Sequence, residues 1–177
     1  MRWMLILFLT LAFTVLGCTP TDQPVSSEDV LNNPDKYASQ EVEIEVKPGE
    51  WLTDWDQAIA VAKKQKLPIL VDFTGSDWCI WCKKLDSEVF SKEEFIDYAK
   101  KNLVLLKLDF PHGIPQSDAM KAANKKKMNE FNIEGFPTIV LVNAEGKEIA
   151  RTGYRPGGAE SYINHLQDLL TKQNDIK

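Results

Sequence analysis

The chain has 177 residues, of which 44% are hydrophobic, 10% aromatic and 27% charged. That length and balance suit one globular domain with a proper core, and exclude an acidic disordered tail, a collagen-like repeat and a polytopic membrane protein. A formal charge of −5 supplies no attraction for nucleic acid, so no such partner is expected, and three cysteines are too few to staple a disulfide-rich mini-fold.

Met1-Arg2 is a short basic start, and residues 3–16 are apolar except for Thr10 and Thr14. At ~1.5 Å per residue this run reaches about 21 Å as a helix, short of the ~30 Å hydrocarbon core. The reading is therefore the apolar region of a secretory signal rather than a spanning helix. Val15-Leu16-Gly17-Cys18, followed by the polar Thr19-Pro20-Thr21-Asp22, resembles the lipobox of bacterial lipoproteins, whose cysteine is acylated and becomes the new N-terminus. The resemblance implies a signal peptide over 1–17 and lipidation of Cys18. It also implies an envelope location on the extracytoplasmic side, held to a membrane by the lipid anchor. Cleavage at another nearby bond would leave Cys18 a plain thiol.

Residues 18–50 read as a tether, polar and marked by Pro20, Pro24 and Pro34, with a short helical piece around 27–31. Within it Glu41-Val42-Glu43-Ile44-Glu45-Val46 alternates charged and β-branched residues, the pattern of a half-buried edge strand, before Lys47-Pro48-Gly49 turns the chain. A domain over 51–177 follows. Thr53 and Asp56 have the spacing of a helix cap, and Trp55, Ala58, Ile59 and Ala62 recur at helical spacing as far as Lys66. Residues 68–73 are a short apolar run, the mark of a strand buried on both faces. A helix starts near Cys79, and Ser91-Lys92-Glu93-Glu94 predicts a capping box that restarts it towards Lys100. A second buried strand spans 103–110, a loop 111–115 and a helix 116–131. The runs 137–142 and 147–150 flank Asn143-Ala144-Glu145-Gly146, a hairpin turn, and a last helix covers 159–171 with Tyr162, Ile163, Leu166, Leu169 and Leu170 on its apolar face. Strands alternating with helices predict an α/β fold, a central mixed β-sheet flanked by helices.

The chemistry concentrates at Asp77-Trp78-Cys79-Ile80-Trp81-Cys82, two thiols at C-x-x-C spacing where a strand hands over to a helix. Unpaired N–H groups and the dipole at a helix start stabilise a thiolate, and such cysteines have pKa values lowered to roughly 3.5–7.5. The spacing lets the second sulfur attack a disulfide made by the first. It also fits an inert staple, or half a zinc site. Zinc would need two more ligands, for which the histidines are His112 and His165 in separate segments, so no metal site is expected.

Four motifs in order resemble the thioredoxin superfamily, over roughly residues 51–170. Ile69-Leu70-Val71-Asp72-Phe73 resembles its central strand with a buried aspartate, one residue further from the cysteines than in thioredoxin itself. Trp78-Cys79-Ile80-Trp81-Cys82-Lys83 resembles the W-C-x-x-C-K active site, Lys107-Leu108-Asp109 the strand whose lysine lies near that aspartate, and Gly135-Phe136-Pro137-Thr138 the segment with a cis proline facing the disulfide. The stretch from Lys83 to Ser91, with Gly153-Tyr154, is similar to the periplasmic reductase domain of DsbD-type proteins and to related secreted thioredoxin-like proteins. Ile80-Trp81 departs from the Gly-Pro of thioredoxin, at a position that tunes redox poise.

The resemblance implies a thioredoxin fold and a thiol–disulfide oxidoreductase acting on protein thiols and disulfides, in the reducing direction, without a cofactor and fed by an upstream thiol electron donor. In that scheme Cys79 is the exposed nucleophile and Cys82 the resolving thiol. Asp72 accepts the Cys82 proton, and Lys107 modulates that carboxylate. Pro137 holds Phe136 so that its backbone pairs with an incoming peptide, while Trp78 and Trp81 line the site as partner contacts. The loop around His112 and the run Lys125-Lys126-Lys127 read as solvated surface. Two other functions fit the same fold: a redox-inert binding or chaperone module, and a copper-handling protein.

Overall fold

The structure, a computed structural model, describes residues 46–174, all within one compact unit. The expected signal peptide over 1–17, Cys18, the tether as far as residue 45 and all of the 41–46 strand but Val46 lie outside the described residues. Val46 itself is irregular and packs against the core. The first described strand is instead β1 (Trp51–Leu52), too short to carry any periodic signal.

The remaining elements follow the alternating order. They are α1 (Trp55–Gln65), β2 (Ile69–Thr74), α2 (Ile80–Leu85), α3 (Glu93–Asn102), β3 (Val104–Asp109), α4 (Asp118–Glu130), β4 (Thr138–Val142), β5 (Glu148–Thr152) and α5 (Gly158–Asn174). The five-stranded sheet has the order β1-β3-β2-β4-β5. β1, β3 and β2 are parallel, and β4 runs antiparallel to both β2 and β5. This is the mixed α/β sheet expected.

Alternation along β2 builds two core layers, because successive side chains leave opposite faces of a sheet. Ile69, Val71 and Phe73 pack with Ala58, Val61 and Ala62 of α1 and with Phe131. Leu70 packs on the other face with Leu85 of α2, Phe95 and Ala99 of α3, and Tyr162 and Leu166 of α5. Each fully buried leucine or isoleucine contributes roughly 1.5–3 kcal/mol, so this strand is an anchor of the domain. Asp72 falls in the second series and so faces the α2 side, in register with Lys107 of β3 and Ile139 of β4.

Two caps differ from expectation. Asp54, not Thr53, caps α1: its backbone is extended and its carboxylate accepts the Gln57 N–H at 2.7 Å. The Ser91 capping box does not form. α2 runs into a π-helical turn (Asp86–Phe90), which holds Ser91 at φ −86° and ψ −1°. That is a helical geometry, whereas an N-cap needs an extended one. Lys92 precedes α3 instead, with no side-chain bond. The hairpin is as read: Asn143 Oδ1 accepts the N–H of Glu145 and Lys147, and Gly146 takes the positive φ of 78° that the turn requires.

Candidate active site

β2 ends at Thr74, and the five residues before α2 form the loop that carries the thiols. Gly75 opens it beneath the Trp78 ring, where an added Cβ would lie 2.5 Å from the indole. Cys79 is the N-cap of α2, and Cys82 lies in its first turn. The two are joined as a disulfide with Cα atoms 5.3 Å apart, and the Cys82 N–H donates to Cys79 Sγ at 3.1 Å. A backbone donor aimed at this sulfur stabilises negative charge on it. Exposure does not separate the two cysteines, which are 6% and 5% accessible, so the exposed nucleophile expected at Cys79 is as covered as its partner in the oxidised state. What separates them is helix position and that N–H.

Asp72 is 4% exposed, and its Oδ1 has no hydrogen-bond partner. Burial raises its carboxyl to about 7, against the opposing pull of Lys107 and with further raising by Asp86 and Asp109. Lys107 is shared. Its Nζ lies 3.9 Å from Asp86 Oδ1 and 5.1 Å above the Trp51 ring. Asp72 also adds to the burial that keeps the Tyr162 phenol above its ordinary range. A carboxyl that titrates near pH 7 is partly ionised there, and its carboxylate form, with an oxygen free of hydrogen bonds, is able to accept a proton.

The Phe136–Pro137 peptide is cis. Phe136 stacks on Phe110 at 5.1 Å and meets Trp78 edge-on at 5.9 Å, which brings the proline segment beside the thiol loop. Of the described residues, the large hydrophobic side chains left exposed are Trp78 (43%), Ile80 (74%), Trp81 (51%) and Ile114 (52%). Three belong to the dithiol segment and the fourth to the β3–α4 loop. Exposed apolar side chains grouped in this way are a general feature of protein, ligand and membrane interaction sites. Trp81 leans on Tyr154 at 5.2 Å, and Lys84 sits over both rings. The Tyr154 hydroxyl donates to Glu88 at 2.8 Å, joining two segments far apart in sequence that the resemblance had singled out.

Several residues of the site escaped the sequence reading. Asp77 accepts the N–H groups of His112 and Gly113 through its carboxylate, donors that hold its carboxyl below the usual range. Ser76 donates both its N–H and its hydroxyl to Asp109. Asn124 of α4 donates to the Asp109 carbonyl at 3.0 Å. His112 remains exposed, as expected of a solvated loop, but stacks on Trp78 at 4.6 Å. Lys127 is not merely solvated: its ammonium lies 3.9 Å from the Trp55 ring centre and pairs with Glu130. His165, the other histidine, bonds Thr152 on α5's inner side, and its ring is pushed towards the neutral form chiefly by burial. Among the described residues, no group of three or more His, Cys, Asp or Glu could hold one metal ion.

Comparison with known proteins agrees with this geometry. The disulfide bond reductase DsbH of Chlamydia pneumoniae is 34% identical over 114 residues, 64% of this chain and 69% of that protein. A solved structure of a DsbH oxidoreductase superposes with a TM-score of 0.66 at 31% identity, covering 77% of this chain and 97% of that one. The thiol:disulfide interchange protein DsbD of Klebsiella pneumoniae subsp. pneumoniae is 34% identical over 120 residues, but this match spans only 18% of its length. The thioredoxin-like domain family matches residues 55–169, which include the buried aspartate, both thiols, Lys107 and the cis proline, and the chain belongs to that family.

Proposed function

We propose that this protein is an extracytoplasmic, lipid-anchored thiol–disulfide oxidoreductase that reduces disulfides in protein clients. The observation that carries the reading is the Cys79–Cys82 pair at the start of α2, with a backbone N–H directed at Cys79 Sγ. Similarity to a protein named a disulfide bond reductase supports the reducing direction. The signal and lipobox pattern before Cys18 supports the envelope location and the anchor. Among the described residues no helix is long and apolar enough to cross a membrane.

In the reduced enzyme the Cys79 thiolate attacks one sulfur of the client disulfide. A Cys79–client disulfide forms, and the first client thiolate leaves. Cys82 then gives its proton to Asp72 and attacks Cys79 Sγ, forming Cys79–Cys82 and expelling the second client thiolate. Two electrons pass from the dithiol to the client, and an upstream thiol donor restores the dithiol. Trp78, Trp81 and the Phe136–Pro137 segment receive the client chain. The test is dithiothreitol-driven reduction of insulin. Wild type accelerates it, and Cys79→Ser abolishes the acceleration. Cys82→Ser accumulates client mixed disulfides on diagonal gels. A wild type no faster than dithiothreitol alone leaves a binding module as the reading.

A further inference from the structure

We propose that Asp77 is a positioning residue: its carboxylate staples the β3–α4 loop to the dithiol loop and thereby holds one wall of a client groove. This rests on the oxidoreductase reading and names a determinant of client recognition within that site.

The groove has a volume of about 390 Å³ and is lined by Trp78, Phe110, His112, Ile114, Met128 and Phe136, among others. It reaches the dithiol loop through Trp78, the residue immediately before Cys79. Its other wall belongs to residues 110–114, more than thirty positions further along the chain. Phe110 anchors the start of this loop by stacking on Phe136, but its tip has no apolar anchor of its own, since His112, Gly113 and Ile114 are all exposed. The Phe110 N–H also donates to the Thr74 carbonyl at 2.8 Å, and three contacts join the loop to the dithiol segment. Asp77 Oδ1 and Oδ2 accept the His112 N–H at 3.0 and 3.1 Å, and Oδ2 accepts the Gly113 N–H as well. Trp78 Nε1 donates to the Phe110 carbonyl at 2.8 Å. The Trp78 and His112 rings stack with their planes 5° apart. Only the first of these involves a charge, and bonds to a charged acceptor are the stronger kind. Asp77 is itself steadied from behind, because Lys83 Nζ donates to its carbonyl at 2.7 Å.

A carboxylate used in this way touches neither sulfur nor client. It keeps Ile114 and His112 in place before the client arrives, so that binding does not have to order the loop. Its loss therefore weakens client binding while leaving sulfur chemistry in place.

The experiment compares wild type, Asp77→Ala, Asp77→Glu and Ile114→Ala in insulin reduction, with amide exchange followed at His112 and Gly113. For Asp77→Ala we expect faster exchange at both amides, a rise in KM of about three- to tenfold and kcat within about twofold. Asp77→Glu, which keeps the acceptor, recovers much of the KM. Ile114 is exposed, so its truncation cannot unfold the domain. It raises KM without speeding exchange, and adds little on top of Asp77→Ala because both act through one wall. Unchanged exchange in Asp77→Ala overturns the staple. Released amides with an unchanged KM overturn its role in recognition, and so does a kcat loss with KM intact. An inactive wild type instead removes the oxidoreductase reading, whatever the loop does.

Discussion

Asp72 shows how one residue can be both a liability and a tool. In the unfolded chain it loses its proton near pH 3.8, whereas in the fold burial delays that loss to about 7. A folded-state pKa raised in this way means that stability falls as pH rises from about 4 through 7, because the unfolded chain releases the proton first. The penalty levels off above the folded value at about 4 kcal/mol, the product of the shift and ~1.36 kcal/mol per unit. Asp72→Asn removes the titration without changing size. In the oxidised protein, its stability relative to wild type should be about 2–3 kcal/mol more favourable at pH 8 than at pH 5. Urea unfolding at the two pH values measures this, and a difference independent of pH would show that Asp72 is ionised within the fold. The same substitution should slow insulin reduction near neutrality, since Cys82 would lose its proton acceptor.

At the scale of elements, α2 and its π-helical turn do most to organise the site. The helix start presents Cys79, its first turn Cys82, and the π turn carries Asp86 towards Lys107 and Glu88 to Tyr154. Irregular turns of this type recur at functional sites because they re-aim side chains that a regular helix would stack in line. At α1 the cap can be tested by comparing neighbours: Asp54→Ala should lower unfolding free energy by about 1 kcal/mol, and Thr53→Ala by less than about 0.5. Equal losses in chemical denaturation would mean that the two residues share the cap.

For the molecule as a whole, the proposed lipid anchor and the folded domain rest on different physics. The core is sealed on both faces of the sheet within the described residues. Among the described residues no helix is long and apolar enough to cross a membrane, and attachment in our reading depends on Cys18. Two or more acyl chains at ~0.8 kcal/mol per buried CH₂ suffice for stable anchoring. Labelled palmitate should therefore enter wild type and not Cys18→Ala, and the variant should move from the membrane to the soluble fraction with insulin reduction intact. Wild type already in the soluble fraction would end the lipoprotein reading and leave the redox one standing.

Periodicity and local chemistry alone determined the element order from α1 onward, the buried strand through Asp72, the hairpin at Asn143, and the dithiol with its place at a helix start. Each of these depends on residues within a turn or a strand length of one another. The four spaced motifs determined the family. The tertiary structure decided what depends on partners distant in sequence. Asp54 rather than Thr53 caps α1, and a π turn displaces the Ser91 cap, because small differences in backbone angle settle which side chain reaches an N–H. Asp77 reads as an unremarkable loop residue until folding brings it the His112 and Gly113 amides. Glu88 and Tyr154 meet only because β5 returns the chain to α2's flank, and His112 finds Trp78 only because two loops leave the same end of the sheet. Hydrogen bonds and stacking act over a few ångströms of space, and no pattern in a linear sequence measures that distance.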